Sequence, residues 1–457
     1  MNKDTWIGIL GYAREGQDTE AYLLSHGFTN VTILDNNPET KSLLGNPVIT
    51  GQDALGRAHE FEVIFRTPGI KLRSQELQDA IAEGTVITSQ AEYFIQHAKG
   101  KTIGITGTKG KSTTSTLTYE FLKEAGRDVH LVGNIGKSML SLLDSLTEKS
   151  VTVLELSSFQ LQDIKASPGI AIMLAITPEH LDYHGSMEEY VEAKAGITAN
   201  QTADDLFIYN MDNAYSRSIG EHSVATRFPF STQQEEIGLA HAGNDAFSIG
   251  IGGKTTRIPF NEVALLGNHH RQNILPAIVA ALSSGAQEKD IVEVLRRFKG
   301  LPYRMQYIGN YGGMDFYNDS LATTPEASIA ALHSLHTPTI LILGGGDKGV
   351  AFDDLAEELS EDPHLRYIIL IGNDSAKRID ASLRETRSSR FVYEKELMDD
   401  QIGIVSLDSY QQLYSTIKSI GQDGMNVLLS PACSSFDFFK DYKERGDFFN
   451  EVARRFG

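Results

Sequence analysis

The chain has little cysteine and no long apolar run, and both absences narrow its class. Of the 457 residues only Cys433 is a cysteine, so no internal disulfide can form and a reducing compartment is expected. No apolar stretch reaches the roughly 20 residues that a membrane-spanning helix needs. The N-terminal stretch MNKDTWIGILGYAREG lacks the apolar core and cleavage site of a signal peptide. We therefore expect a cytoplasmic protein with no membrane partner.

Basic residues are also too few to balance the acidic ones. Lys and Arg number 41 against 60 Asp and Glu, which gives a formal net charge of −19. Sequence-independent binding of nucleic acid relies on cationic contacts to phosphates, so no nucleic-acid partner is expected. A local basic pocket for a phosphorylated small molecule remains compatible with this composition. The hydrophobic fraction of 41% is ordinary and excludes global disorder.

Short apolar runs that end in glycine-rich turns alternate with amphipathic helical segments along the chain. This alternation is typical of α/β proteins with largely parallel sheets. At about 150 residues per domain, the length predicts roughly three domains. We expect a Rossmann-like N-terminal domain over residues 1–95, a central P-loop ATPase-like domain with a mostly parallel sheet over residues 96–302, and a Rossmann-like C-terminal domain over residues 303–457.

The stretch ITGTKGKST, residues 105–113, is a candidate phosphate-binding loop. It follows a predicted strand and leads into a helix predicted to begin near Lys111. The strict phosphate-loop pattern requires glycine where this chain has Ile105, but the G-x-x-G-K-S core is present. Backbone N–H groups and the helix dipole of such a loop attract phosphate, and its Lys and Ser reach the terminal phosphates and Mg²⁺. The alternative is a Gly/Thr-rich turn with a solvated lysine.

Three further side chains lie in the same block. Glu155 ends the predicted strand VTVLEL, and a carboxylate there commonly holds Mg²⁺ beside a phosphate loop, although it could equally cap a helix. His180 follows another predicted strand, where an isolated histidine is more often a structural hydrogen-bonding group. Lys194 lies on the predicted helix SMEEYVEAKAGI and, taken by itself, is predicted to be a surface lysine.

The two ends of the chain carry weaker signals. The turn GILGYAREG followed by Asp35 does not fit the G-x-G-x-x-G spacing of NAD-binding proteins. It indicates a nucleotide or phosphate near Tyr12 to Gly16, with Asp35 accepting from a ribose or base. Near the C-terminus, NDSLATTPEA, GGGDKG and SPACSSFDFFKDYKERG follow predicted strands. They are either a second substrate site or simple turns.

Eight stretches, in this order, resemble the Mur ligase family: GTKGKST, GNIG, ELSSFQL, EHLDYHGSMEEYVEAK, GNHHRQN, GLPYR, NDSLAT and LLSPACSSFDFFKDYKERG. The resemblance covers essentially the whole chain, and the last stretch indicates the member that adds D-glutamate to UDP-N-acetylmuramoyl-L-alanine in peptidoglycan precursor synthesis. It implies that ATP phosphorylates the substrate carboxylate. The glutamate amine then attacks the acyl phosphate, and a tetrahedral intermediate collapses to an amide, ADP and phosphate.

The resemblance also implies site residues, with the UDP-substrate, ATP and amino acid bound by the first, second and third domains. The implied ATP residues are Gly107, Thr108, Lys109, Gly110, Lys111, Ser112, Thr113, Asn273, Arg304 and Asp319. The implied UDP-substrate residues are Tyr12, Arg14, Asp35, Thr67, Gly69, Asn134, Ser157, Gln160 and His180. The implied glutamate residues are Thr323, Lys348, Ser435 and Tyr442. The implied Mg²⁺ ligands are Ser112, Glu155, His180 and Lys194, the last as a carbamate. The implied catalytic residues are Lys111, His180, Lys194, Arg304 and Lys348.

Departures from the family pattern leave alternatives open. The common DSKAT reads DSLAT here, with Leu321 in place of lysine, and Tyr442 stands where the family has phenylalanine. Both lie in the implied amino-acid site, so the same reaction with L-glutamate is an alternative. Others are another Mur-type ligase, a folylpolyglutamate-type ligase, which lacks the N-terminal domain, an NAD-dependent dehydrogenase, and a non-catalytic nucleotide-binding module. We expect a monomer that acts on small-molecule substrates.

Overall fold

The structure is a computed structural model that describes residues 1–51, 53–133, 138–162, 164–233, 239–265, 270–347, 349–372, 374–393, 397–398 and 400–457. The chain divides into two compact units, Met1–Phe298 and Lys299–Gly457. The boundary falls at the start of the stretch FKGLPYRMQYIG. Within the described residues no helix is both long enough and apolar enough to span a bilayer.

The first unit begins with a parallel sheet of short apolar strands. Its strands are β1 (Ile7–Leu10), β2 (Val31–Asp35), β3 (Val48–Thr50), β4 (Val63–Arg66) and β5 (Val86–Thr88). Its helices are α1 (Arg14–Ser25), α2 (Gln75–Ala82) and α3 (Gln90–His97), with a 3-10 helix at Leu55–Glu60. The strand order is β3-β2-β1-β4-β5, so the chain adds strands first on one side of β1 and then on the other. In such sheets ligands bind outside the carboxyl ends of the strands, at the point where the strand order switches sides.

A second, larger sheet follows in the same unit. Its strands are β6 (Lys101–Thr106), β7 (Val129–Gly133), β8 (Val151–Glu155), β9 (Ile170–Met173), β10 (Leu206–Asn210), β11 (Thr226–Ser231), β12 (Ala240–Ala242), β13 (Ala246–Ile251) and β14 (Lys254–Pro259). Their order is β14-β13-β12-β11-β10-β9-β6-β8-β7. The pairings are parallel as far as β12, and β13 and β14 extend the sheet in antiparallel fashion. We refer to this sheet as the central sheet.

Helices cover the central sheet and bury its apolar side chains. They are α4 (Lys111–Glu124), α5 (Ser158–Leu161), α6 (Leu181–His184), α7 (Met187–Ala195), α8 (Ala214–His222), α9 (Arg271–Ser283) and α10 (Glu288–Arg297), with 3-10 helices at Leu140–Ser145 and Phe260–Glu262. Ile103 and Ile105 of β6 are buried in one cluster with Leu117 and Phe121 of α4 and with Ile278 of α9. This packing fixes the junction at which β6 ends and α4 begins.

The second unit carries another mostly parallel sheet. Its strands are β15 (Gln306–Tyr311), β16 (Met314–Asn318), β17 (Thr339–Leu343), β18 (Leu365–Ile371), β19 (Phe391–Val392), β20 (Ile402–Leu407) and β21 (Asn426–Leu429). Its helices are α11 (Pro325–His333), α12 (Asp353–Glu361), α13 (Asp374–Glu385), α14 (Leu413–Ile420) and α15 (Tyr442–Arg454). The order is β15-β16-β21-β17-β18-β20-β19, and only the β15–β16 pairing among these described strands is antiparallel.

A buried arginine ties the loops of the second unit together. Arg445 on α15 is fully buried and donates to the carbonyl oxygens of Cys433 (3.1 Å) and Ser434 (2.8 Å). It also donates to the carbonyl (2.8 Å) and hydroxyl (3.0 Å) oxygens of Ser320. Burial lowers the pKa of its guanidinium. Such burial is tolerable because the donors of the group are hydrogen-bonded. Cys433, whose carbonyl oxygen accepts from Arg445, is buried.

We predict that Arg445→Met destabilises the second unit. The change strands several buried acceptors, each costing about 1–3 kcal/mol, while it relieves the desolvation of one cation, so a net loss of about 3 kcal/mol is expected. Urea denaturation followed by circular dichroism measures it. Arg454→Met, an exposed change on the same helix, is the control and should move stability by less than about 0.5 kcal/mol. Equal midpoints for the two variants would contradict the role of Arg445.

Candidate active site

The loop between β6 and α4 has the geometry of a phosphate-binding turn. Gly107 and Gly110 have φ of +149° and +87°, in the region that favours glycine. A Cβ on Gly107 would meet Leu174 Cβ at 2.5 Å, and one on Gly110 would meet Asn273 Oδ1 at 2.0 Å. Helix α4 begins at Lys111, as predicted. The two glycines are thus required by both backbone conformation and close approach.

Two lysine ammonium groups converge on this loop. Lys111 Nζ donates to the carbonyl oxygens of Gly107 (3.1 Å) and Thr108 (2.8 Å). Lys194 Nζ donates to the same Gly107 carbonyl at 2.8 Å, although it is 87 residues away in sequence. Because like charges repel, this arrangement favours an anion at the loop.

Lys194 is not at the surface, although the sequence of its helix predicted an exposed side chain. Its exposed fraction is 1%, and Nζ lies 4.6 Å from the ring centroid of Tyr190. Burial, followed by the charge of Lys111, lowers its pKa from the usual lysine value to about 7, against a smaller opposing effect of Glu179. The prediction was wrong because α7 packs against the loop of another element, which helix periodicity does not show. A neutral amine is therefore accessible near neutral pH.

Thr108 connects the loop to the segment of chain that follows β9. Its hydroxyl donates to the Thr177 carbonyl (3.0 Å), accepts from the Thr177 N–H (2.9 Å) and lies 3.1 Å from the Tyr190 hydroxyl. Thr108 thus holds the loop in place, whereas the neighbouring Lys109 is exposed and Thr113 is half-buried.

A cavity of about 380 Å³, which we call the phosphate cavity, opens over the loop. Several predicted site residues share its wall with others that were not predicted. The lining residues are Glu15, Pro68, Lys111, Ser157, Ser158, Phe159, His180, Tyr190 and Lys194. The structure therefore brings Lys111, His180 and Lys194 together, although they come from three different loops or helices.

His180 has a strained backbone at the edge of the phosphate cavity. Its φ of +56° lies in the left-handed region, which is uncommon for a residue other than glycine and is found at functional sites. Its side chain is half-exposed, 5.0 Å from the Phe159 ring. Behind it, His184 is buried, stacks on Phe159 at 5.5 Å and lies 3.0 Å from the Ser158 hydroxyl. The aromatic stack supports the segment that carries His180.

Two of the implied metal ligands lie where a strand ends and where a helix begins. Glu155 is buried at the end of β8, opposite Ile105 of β6, and Ser112 is buried in the first turn of α4. In the described part of the chain, no group of three or more His, Cys, Asp or Glu side chains is arranged to hold a metal ion. A carboxylate and a hydroxyl are the oxygen donors that Mg²⁺ prefers, but an ammonium at Lys194 is not a ligand. By donor type, Ser112 and Glu155 suit Mg²⁺, whereas Lys194 in its charged form does not.

Ser157 and Gln160 form a capping box at the start of α5. The Ser157 hydroxyl accepts from the Gln160 N–H at 3.3 Å, and the Gln160 amide oxygen accepts from the Ser157 N–H at 3.0 Å. Gln160 is buried, and its Nε2 donates to Glu15 Oε1 at 3.1 Å. The structure therefore gives Gln160 a structural role beside the phosphate cavity, and Ser157 lines the cavity itself.

The residues implied for the UDP part gather at the carboxyl ends of β1, β2 and β4. Asp35 Oδ2 accepts from the Tyr12 N–H at 2.7 Å. The Thr67 hydroxyl donates to the Leu10 carbonyl at 3.0 Å, and a Cβ on Gly11 would meet that hydroxyl at 2.1 Å. Arg14 and Gly69 are exposed nearby in the chain. Asn134, implied for the same substrate, lies outside the described residues.

Asn273, the implied ATP-site asparagine, lies directly against the loop. Besides the close approach of its side chain to Gly110, its carbonyl accepts from the Thr114 hydroxyl at 3.1 Å. The first turn of α9 is thereby fixed to the first turn of α4. The contact places an amide side chain beside the candidate phosphate site.

The second unit has its own cluster of predicted residues. Asp319 is buried, which raises the pKa of its carboxyl to about 6, and its oxygens accept from the Met305 N–H (3.0 Å) and the Ser430 hydroxyl (2.8 Å). Met305 and Tyr303 have φ of +41° and +62°, so Asp319 fixes a strained turn that presents exposed Arg304. Burial raises Asp319's pKa despite these hydrogen bonds, which indicates a tightly enclosed carboxyl group.

The implied glutamate residues occupy the loops around α15. Ser435 is buried, Thr323 and Tyr442 are half-buried, and the Tyr442 carbonyl accepts from the Ser320 hydroxyl at 2.8 Å. Ser320 is in turn held by Arg445, which the sequence did not single out. Lys348, predicted as a catalytic and glutamate-binding residue, lies outside the described residues.

Two protein-family descriptions match the chain. "Mur ligase middle domain" matches residues 105–281, and "Mur ligase, glutamate ligase domain" matches residues 303–433. A protein named UDP-N-acetylmuramoylalanine--D-glutamate ligase from Ruminiclostridium cellulolyticum is 32% identical over 99% of this chain and 97% of its own length. One of the same name from Desulfitobacterium hafniense is 34% identical over 98% and 97%. The chain belongs to the Mur ligase family.

Solved Mur ligases share the fold. MurF from Acinetobacter baumannii has a TM-score of 0.55 at 16% identity, covering 99% of this chain and 92% of that one. MurF from Thermotoga maritima, solved in complex with ADP, has a TM-score of 0.52 at 16% identity, covering 99% and 96%. This family is ATP-dependent, and the likeness confirms an α/β fold with mostly parallel sheets.

We predict that Gly110→Ala weakens nucleotide binding while Gly126→Ala leaves it intact. Both glycines flank α4 with positive φ, so both variants incur about 1–2 kcal/mol of backbone strain. A Cβ at Gly126 meets nothing within 4 Å, whereas one at Gly110 collides with Asn273. Calorimetric titration with ATP should show at least about a tenfold loss for Gly110→Ala only. Similar affinities in both variants would show that the loop does not bind the phosphates.

Proposed function

We propose that this chain is an ATP-dependent ligase that joins D-glutamate to UDP-N-acetylmuramoyl-L-alanine in peptidoglycan precursor synthesis. The observation that carries the proposal is the convergence of Lys111 and the buried Lys194 on the Gly107 carbonyl, at the wall of the phosphate cavity. The substrates are those in the names of the relatives that match nearly the whole chain. We place the enzyme in the cytoplasm and expect it to act as a monomer.

We assign the binding of one substrate to each of the three sheet-containing parts of the chain. Residues 1–95 bind the UDP-substrate, residues 96–302 bind ATP, and residues 303–457 bind the amino acid. The crevice at the carboxyl ends of β1 and β4 supports the first assignment, because Tyr12, Asp35 and Thr67 meet there. The loop before α4 supports the second. The third rests on the match of residues 303–433 to the glutamate ligase domain.

The reaction proceeds by activation of a carboxylate. The substrate carboxylate attacks the γ-phosphorus of ATP, and ADP leaves, which gives an acyl phosphate. The glutamate amine then adds to the acyl carbon, loses a proton, and expels phosphate. Transfer of the phosphoryl group needs cationic stabilisation, which the Lys111 ammonium supplies at the loop. The assignments of Arg304 and Asp319 to ATP, and of Thr323, Lys348, Ser435 and Tyr442 to glutamate, stay predictions from the family resemblance.

Mg²⁺ would be held by Ser112 and Glu155, together with His180 and a carbamate on Lys194. When bound, it would neutralise charge on the transferring phosphoryl group. Lys194 suits carbamylation because burial lowers the pKa of its amine to about 7. Carbon dioxide reacts with the neutral amine, and the resulting N–H carbamic acid releases a proton to give a carboxylate-like group. The product carries oxygen donors where the ammonium carried none.

We predict that Lys194→Ala loses essentially all ligase activity and that a short-chain carboxylic acid partly restores it. Acetate or propionate can enter the space left by the side chain and supply the missing carboxylate. Phosphate release with and without added acid measures the rescue. Lys165→Ala removes an exposed lysine and should behave as the unaltered enzyme. Absence of any rescue, combined with no carbamate signal from ¹³C-labelled carbon dioxide in the unaltered enzyme, would contradict carbamylation.

The assay that tests the proposed function compares the two glutamate enantiomers. Phosphate release from ATP is measured with Mg²⁺ and UDP-N-acetylmuramoyl-L-alanine, with either D- or L-glutamate added. We expect release with D-glutamate only. Release with L-glutamate only would mean that the changes at Leu321 and Tyr442 accompany altered stereochemistry. Release with neither would refute the proposed reaction.

A further inference from the structure

Glu15 contributes a carboxylate to a cavity wall that otherwise carries cationic and neutral groups. It shares this wall with Lys111, His180 and Lys194. Among the described lining residues the remaining side chains are hydroxyl-bearing, aromatic or proline. A carboxylate here would repel the phosphates of ATP, so it must face a part of a ligand that donates hydrogen bonds rather than one that carries negative charge.

The backbone of Glu15 is held in place from several sides. A Cβ on the next residue, Gly16, would meet the Gly11 carbonyl oxygen at 2.2 Å, so the start of α1 packs directly on the turn after β1. The Glu15 carbonyl accepts from the Thr19 hydroxyl at 2.7 Å and from Gln90 Nε2 at 2.7 Å. The side chain therefore projects from a fixed point.

The side chain is oriented by a single amide. Gln160 Nε2 donates to Glu15 Oε1 at 3.1 Å, and the amide oxygen of Gln160 is itself held by Ser157. An ionised carboxylate has two oxygens with about four acceptor sites, so this bond leaves acceptor capacity for a ligand. Burial raises the pKa of the Glu15 carboxyl and the charge of Asp18 adds to this, while the hydrogen bond from Gln160 and, more weakly, Arg66 lower it. A donor from a ligand would offset the desolvation of the charged form.

The muramoyl-L-alanine part of the proposed substrate offers such donors. It carries amide N–H groups and sugar hydroxyls, whereas the pyrophosphate and the reacting carboxylate are anionic. We propose that Glu15 is a substrate-binding residue that accepts a hydrogen bond from an amide or hydroxyl group of the muramoyl-L-alanine moiety. This inference rests on the proposed function. It adds a specificity contact that helix α1 supplies to the phosphate cavity.

Binding measurements on the full chain test the proposal without turnover. Calorimetry gives the Kd of Glu15→Gln for UDP-N-acetylmuramoyl-L-alanine and for UDP alone. Glutamine keeps the shape and the acceptor for Gln160 but loses the charge that strengthens a hydrogen bond. We expect the substrate Kd to rise about tenfold and the UDP Kd to stay unchanged. Glu76→Gln removes an exposed carboxylate on α2, outside the phosphate cavity, and should alter neither value.

The other outcomes overturn the assignment in distinguishable ways. An unchanged substrate Kd in Glu15→Gln would mean that no contact exists. Equal losses for substrate and UDP would mean a structural role for Glu15. Failure of the unaltered enzyme to bind the substrate at all, while it still binds ATP, would refute the proposed function instead. If Glu15→Gln does not fold, Glu15→Asp withdraws the carboxylate by one methylene and should weaken substrate binding but not UDP binding.

Discussion

The carbonyl of Gly107, shared by two lysine side chains, is the contact on which the site depends. Lys111 reaches it from the start of α4, and Lys194 reaches it from α7. Two ammonium groups that converge on one carbonyl in a buried setting repel each other, and the pKa of Lys194 falls to about 7 as a result of burial and of this repulsion. Anionic phosphates, or loss of the Lys194 charge, relieve the repulsion. The fold thus prepares this loop for anions.

The parts of the fold that the sequence predicted well are set by local chemistry. Glycines with positive φ, an apolar strand before them and a helix after them are neighbours in sequence, so the junction at Lys111 was predicted correctly. The same reasoning located the end of β8 at Glu155. Strand order could not be read in this way. The pairing of β6 with β8 and β9 joins segments that are distant in sequence, which leave no short-range pattern.

The local sequence patterns did not predict which charged side chains are buried. Helix α7 reads MEEYVEAKA, whose charges predict an exposed face, yet Lys194 is buried because the helix packs on the Gly107 loop and on Tyr190. Arg445 stands in an equally polar stretch and is fully buried among carbonyl oxygens. In both cases the compensating partners come from other segments. Only the family resemblance identified Lys194 from the sequence, and it said nothing about why the amine would be reactive.

Gln160 shows how the structure can add a role to a residue that the resemblance implied. The resemblance assigned it to the muramoyl substrate, whereas the structure uses its amide oxygen to close a capping box with Ser157 and its amide nitrogen to hold Glu15. Each end of the amide thus makes a hydrogen bond within the protein, and its second N–H leaves room for the implied substrate contact. By holding Glu15, Gln160 also fixes the position of a carboxylate on the wall of the phosphate cavity. One amide can therefore support the local fold and set the charge pattern of the cavity at the same time.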